Sequence, residues 1–242
     1  MRPDGRAADA LRAVSLEPDF TENPLASVLS RFGRTVVLCT VSEERTVPRF
    51  LQGSGQGWVS AEYAMLPGAT ESRSERESTR GRPSGRSLEI QRLIGRSLRA
   101  VCDLSALGER TLWVDCDVLQ ADGGTRCASI TGGYAALALA SERLRARGEI
   151  ERSALRDSVA AVSVGIVAGE IVLDLPYVED SRAEVDMNVV ATGSGRLVEV
   201  QGTAEGGAFS AEQLAAMTAL ALRGTAQLGM RQAEAIARGM RR

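Results

Sequence analysis

The stretch QADGGTRCASITGG, residues 120–133, decides how this chain is read. The run before it, TLWVDCDVL at 111–119, alternates as a strand does. Leu112, Val114, Cys116 and Val118 share one face, and Trp113, Asp115 and Asp117 share the other. The run after it is rich in Ala and Leu and predicts a helix over 127–147, interrupted by Gly132 and Gly133. Each such glycine costs about 1 kcal/mol in a helix interior, so a second backbone packing close at that point is expected. Between strand and helix stand Asp122, Gly123, Gly124, Thr125 and Arg126. The first amides of a helix lack intrahelical partners, and the helix dipole is positive there. Glycine lets those N–H groups approach a ligand, threonine adds a hydroxyl, and arginine adds a planar pair of donors. Together they have the makings of a phosphate cradle. The same residues also suit an ordinary Asp-Gly turn, with Arg126 paired to Asp122 or Asp117. The GK[ST] ending of a P-loop is absent.

Working outward, 35–42 (TVVLCTVS) reads as a buried strand and 57–66 as another. Residues 67–87 are polar, rich in Gly and Ser, and dense in arginine, the composition of a mobile loop. A helix begins at Ser84, with Leu88, Leu93, Ile94, Leu98 and Val101 at helical spacing. Arg86 lies in its first turn, where the dipole disfavours an exposed cation by roughly 0.3–1 kcal/mol. An anion bound there would reverse the penalty, and two helix starts that each carry an arginine could share one phosphate. The competing reading pairs Arg86 with Glu89. The loop sets Arg73, Arg76, Arg80, Arg82 and Arg86 against Glu71, Glu75 and Glu77. Such a run is either a solvated face or a surface that tracks a nucleic-acid backbone. Aromatic residues for base stacking are few.

Downstream, 158–167 and 170–175 read as strands joined at Ala168-Gly169. Residues 185–192 and 196–202 read as a hairpin. Ser210 and Gln213 have capping-box spacing at the head of a last long helix, and Phe209 with Leu214 fits a hydrophobic staple. Asp186 falls just inside a strand and Asp180 in the loop before it. Two carboxylates facing a phosphate cleft would repel the substrate unless a divalent cation, of which Mg2+ is the best suited, sat between them. Spacing alone favours a solvated acidic loop with local salt bridges. Asp115 and Asp117 are expected to pair with arginines. Both halves run strands and then a helix. This is an α+β architecture of two related halves, 1–150 and 151–242, with a soft boundary near 148–157.

The chain has 242 residues, 44% apolar and 25% charged, with a net charge of -2, so a nucleic-acid partner requires a local basic patch. No apolar run approaches the ~18 residues of a membrane span, and MRPDGRAADALR lacks a signal-peptide core. A cytoplasmic protein with no membrane partner is expected. Cys39, Cys102, Cys116 and Cys127 form no CxxC pair and are expected to be reduced, partly buried thiols. The chain contains no histidine. That excludes Ser-His and Cys-His nucleophile pairs, histidine general bases and His-ligated zinc. Chemistry here would have to run on Arg, Asp, Glu, hydroxyls, backbone groups or a hard metal ion.

Several stretches together resemble the ribonuclease PH family of bacterial phosphorolytic exoribonucleases. They are RPDGR at 2–6, ATESRSERESTRGRPSGRSLEIQRLIGRSLRA at 69–100, WVDCDVLQADGGTRCASITGGY at 113–134, LDLPYVEDSRAEVDMNVVATGSG at 173–195 and VQGTAEGGAFS at 200–210. The resemblance implies a ribonuclease PH-like fold with βαβ units, assembled as a ring-shaped homohexamer, a trimer of dimers. It implies that inorganic phosphate attacks the last phosphodiester of a tRNA 3′ end and releases a nucleoside diphosphate, reversibly. By the same resemblance Arg86, Gly124, Thr125 and Arg126 bind phosphate. Asp180 and Asp186 serve metal binding and catalysis, and Arg73, Arg76 and Arg80 contact RNA. The family usually reads LPRAT where this chain has Leu66-Pro67-Gly68-Ala69-Thr70. The alternatives are a non-catalytic RNA-binding ring subunit and a hydrolytic nuclease, which would release monophosphates without phosphate.

Overall fold

The computed structural model describes residues 2–241, with Arg80 described by its backbone alone. Alternating and β-branched runs form the first four strands: β1 (Val14–Pro18), β2 (Ala26–Phe32), β3 (Thr35–Glu44) and β4 (Trp58–Met65). Helices α1 (Gly85–Arg99) and α2 (Leu104–Leu107) lead to β5 (Thr111–Gln120) and then to α3 (Thr125–Ala146). The second half contains β6 (Val159–Val167), β7 (Glu170–Leu173), α4 (Tyr177–Asp180), β8 (Val185–Thr192), β9 (Leu197–Ala204) and α5 (Ala211–Gly239).

The first sheet has the order β1-β2-β3-β5-β4. Its pairs are antiparallel except β4 with β5, which is parallel and bridged by α1. This is the βαβ unit. The second sheet, β7-β6-β8-β9, is antiparallel throughout. Val37, Cys39 and Val41 of β3, with Leu112, Val114, Cys116 and Val118 of β5, give the first sheet its buried face.

Helix α3 has no polar side: every residue from Cys127 to Ser141 is buried. A helix apolar all round belongs between layers, and α3 lies between the two sheets. Toward β2, Ser30 Oγ donates to the Ala128 carbonyl at 3.0 Å. Toward β6, the Ala161 amide donates to Thr131 Oγ1 at 3.2 Å. The glycine interruption has the expected cause. A Cβ on Gly132 would stand 2.6 Å from Ser30 Cβ and 2.9 Å from Cys39 Sγ. Helix α5 closes the core against β1 and β6. Its capping box forms: Ser210 accepts from the Gln213 amide, and Gln213 reaches back to the Ser210 amide. Its buried Gln232 donates to the carbonyls of Thr131 and Val159, both at 2.9 Å, tying α5 to α3 and β6.

Several sequence expectations are adjusted. Helix α3 starts at Thr125, so Thr125 and Arg126 stand in its first turn and Gly124 is its N-cap. The loop from 67 contains a 3-10 turn, Glu77–Arg80, that leads to Ser84, the N-cap of α1. All four cysteines are buried and free, and Cys39 faces Cys116 across adjacent strands. Asp115 and Asp117 make no arginine pair among the described residues. They lie on the face turned away from the helices, where partial burial pushes both carboxyls up and Glu62 adds to the rise at Asp115. Among the described residues no helix is long and apolar enough to cross a membrane.

Candidate active site

The loop between β5 and α3 meets the segment between β7 and α4, and the two halves of the chain touch there. Gly123 and Gly124 both take left-handed backbone angles, φ 74° and 67°. A Cβ on Gly123 would lie 2.5 Å from the Leu175 carbonyl oxygen, so glycine is what allows the contact. Gly124 is the N-cap of α3, and no side chain caps the helix. The first amides of this long helix are therefore open to an anion.

Arg12 holds this junction. Its Nη1 donates to the Asp122 carbonyl at 2.6 Å. Its Nε and Nη2 grip the two oxygens of Asp174 at 3.1 and 2.7 Å. Asp174 is 2% exposed and itself left-handed at φ 55°. Arg2 does the same for α4. Its Nε and Nη2 donate to Glu179 at 2.9 and 2.6 Å, with both side chains 3% exposed. Glu179 precedes Asp180, which closes α4 as its last residue and is not in a loop. The N-terminal arm thus fixes both the backbone of the Asp122–Gly123 turn and the turn that carries Asp180.

Arg86 and Arg126 come from the starts of α1 and α3. Neither takes the partner that a purely local pairing would give it. Arg86 is exposed and makes no ion pair among the described residues. Arg126 donates to Gln201 at 2.8 Å and lies 3.7 Å from Glu89. Thr125 is 6% exposed, and its hydroxyl shares a 2.9 Å hydrogen bond with buried Tyr63 of β4. Asp186 stands one residue inside β8. Burial pushes its carboxyl up to about 6, and the charge of Asp180 adds to the rise. Asp180 is raised chiefly by burial. Arg126 and Arg86 oppose the rise at both carboxyls and act on Tyr63 too, so all five side chains share one electrostatic neighbourhood. Asp186 Oδ1 is buried without a hydrogen-bond partner among the described residues.

Of the loop arginines, Arg73 and Arg76 are exposed and unpaired among the described residues, and the side chain of Arg80 lies outside them. A Cβ at Gly68 would meet no atom within 4 Å among the described residues. Tyr63, Gln201, Arg12 and Asp174 escaped the motif reading. Arg2 lies in the RPDGR stretch that carries part of the family resemblance, which assigned it no role.

An open helix N-terminus and two guanidinium groups, set against two half-buried carboxylates on this two-sheet fold, suit phosphoryl transfer. Comparison with known proteins is in keeping with that. Residues 10–141 match domain 1 and residues 157–224 match domain 2 of the 3′ exoribonuclease family. The chain belongs to this family. It is 57% identical over 238 residues to the ribonuclease PH of Corynebacterium kroppenstedtii, covering 98% of this chain and 94% of that protein. The crystal structure of rice Rrp46 superposes with a TM-score of 0.78 at 18% identity, covering 97% of this chain and all of the other. The Archaeoglobus fulgidus exosome, solved with RNA bound to the active site, gives 0.79 at 22% identity over 95% of this chain and 92% of its own.

Proposed function

We propose that Arg86, Gly124, Thr125 and Arg126 hold an inorganic phosphate, and that Asp180 and Asp186 face the bond it cleaves. The chain is a phosphorolytic 3′→5′ exoribonuclease acting on tRNA 3′ ends. An oxygen of the phosphate forms a bond to the terminal phosphodiester phosphorus, and the 3′ oxygen of the penultimate nucleotide leaves. The products are a nucleoside diphosphate and an RNA one nucleotide shorter.

Phosphate brings its own nucleophilic oxygen, so the absence of histidine costs this reaction nothing. The protein's task is positioning and charge stabilisation. The open amides at the start of α3 and the Arg126 guanidinium would bind the phosphate oxygens from one side. Arg86, without an ion pair among the described residues and in the first turn of α1, would bind from the other. Tyr63 would hold the Thr125 hydroxyl toward the anion.

Mg2+ fits the donor set. Asp186 Oδ1 is a buried acceptor with no partner among the described residues, and the charge of Asp180 adds to the cost of ionising Asp186. The described residues hold no cluster of three or more metal-ligating side chains. Two carboxylates completed by water and substrate phosphate are an ordinary magnesium environment. Bound there, the ion would supply neutralising charge to the scissile phosphate and the leaving oxygen.

The observation that carries this reading is that two arginines from separate helix starts act on the same two carboxyls beside an uncapped helix N-terminus. The test is to incubate the protein with a 3′-extended tRNA, Mg2+ and phosphate and identify what is released. Nucleoside diphosphates that disappear when phosphate is withheld are expected. Monophosphates formed without phosphate would point to hydrolysis, and no shortening at all to a non-catalytic RNA-binding subunit.

Arg73 and Arg76, with Arg80, form the RNA-contacting surface in this reading, and the assembly is a ring-shaped homohexamer. Replacing Arg73 with alanine should weaken tRNA binding and make its salt dependence shallower by about one phosphate contact. Affinities of variant and parent that coincide across a salt titration would remove this residue from the surface.

A further inference from the structure

Arg126 is held by its neighbours. Its Nη1 donates to Gln201 Oε1 at 2.8 Å, while Nη2 lies 3.7 Å from Glu89 Oε2. Gln201, on β9, in turn donates from Nε2 to Glu89 Oε1 at 2.9 Å and to Glu199 Oε1 at 2.8 Å. Arg96 of α1 pairs with Glu199 at 3.1 Å. A carboxamide has one acceptor oxygen and one nitrogen with two protons. Here two carboxylates take both protons, so the oxygen is the end presented to the guanidinium. The reverse orientation would set N–H against a cation and oxygen against two anions.

We infer that Gln201 is a positioning residue for phosphate binding by Arg126. The inference rests on the reading that Arg126 grips the phosphate. Gln201 acts in two ways. It anchors Nη1, which leaves the other N–H groups of the guanidinium for phosphate. It also tethers Glu89, whose carboxylate stands off from Nη2 beyond hydrogen-bond distance. Without that tether Glu89 is free to pair with Arg126 through both oxygens and compete with the anion. A neutral amide between a cation and two anions is thus part of the site, and a carboxylate at 201 would be a third competitor.

The test is the phosphate dependence of phosphorolysis at saturating tRNA, with melting temperatures measured alongside. Gln201→Met should raise KM for phosphate about tenfold, the size of one lost charge-assisted hydrogen bond. KM for RNA and the melting temperature should stay at the parent values. Adding Glu89→Gln to Gln201→Met should recover most of the loss, because the competing charge is gone. A merely structural glutamine would show no such rescue. If Gln201→Met melts early, Gln201→Glu serves in its place, since it keeps the shape. It should raise KM for phosphate further still. Parent-like phosphate KM in a folded Gln201 variant overturns the proposal. Arg126→Ala separates the two levels: a parent-like phosphate KM in that variant overturns the Arg126 reading itself. Loss of saturation there beside silent Gln201 variants overturns only the positioning role.

Discussion

Arg86→Ala is expected to lower phosphorolysis by about 10²–10³-fold, the usual effect of removing one fixed donor from an oxyanion site. The side chain is exposed and unpaired among the described residues, so its loss leaves no buried charge behind. The melting temperature should not move. Arg126→Ala should be at least as severe, since that guanidinium sits in the first turn of α3 beside the open amides. Its partner Glu89 keeps access to water with a side chain 43% exposed, so the fold should survive this change as well. Arg→Lys at either position keeps the charge but not the two-pronged donor geometry, and it should recover only part of the activity. Single-turnover rates at saturating RNA, with phosphate titrated, are the measurement. Near-parent rates in both alanine variants would leave the phosphate without its grip and sink the assignment.

Arg2→Met should act through stability instead. Arg2 and Glu179 are both 3% exposed, and the pair is bidentate. Removing one partner strands a buried carboxylate, a loss of about 3–5 kcal/mol. At about 2–4 °C per kcal/mol for a chain of this size, the melting temperature should fall by roughly 10 °C. Activity should fall with it, because Glu179 neighbours Asp180 on α4. Replacing both residues with methionine should return much of the lost stability, since no unpaired charge then remains. A melting temperature unchanged in Arg2→Met would mean that the arm is not anchored where the structure has it.

Much of this molecule is legible in local sequence pattern alone. The alternation in β5, the Ser210–Gln213 capping box and the glycine break in α3 each depend on neighbours a few residues apart. So does the helix start at Gly124 and Thr125, which lies within one continuous stretch. What escapes such a reading is pairing across the chain. Arg12 finds Asp174, Arg2 finds Glu179, Tyr63 finds Thr125, and Arg126 finds Gln201. These residues are far apart in sequence, and no periodicity marks them. The arginine pairing expected of Asp115 and Asp117 fails for a related reason. Their face of β5 is plain from alternation, but whether an arginine from elsewhere in the chain pairs with them is not, and among the described residues none does.

Gly132 gives the chemistry an unexpected dependency. It lies seven residues into α3, about 10 Å along the axis from the cradle at ~1.5 Å per residue, and there it lets the helix rest against Ser30 and Cys39. A rigid rod pivoting on that point would carry any thickening of the contact to its tip as displacement of the uncapped first-turn amides. The direction in which the helix start points is thereby tied to the clearance of a single missing methyl group inside the hydrocarbon interior.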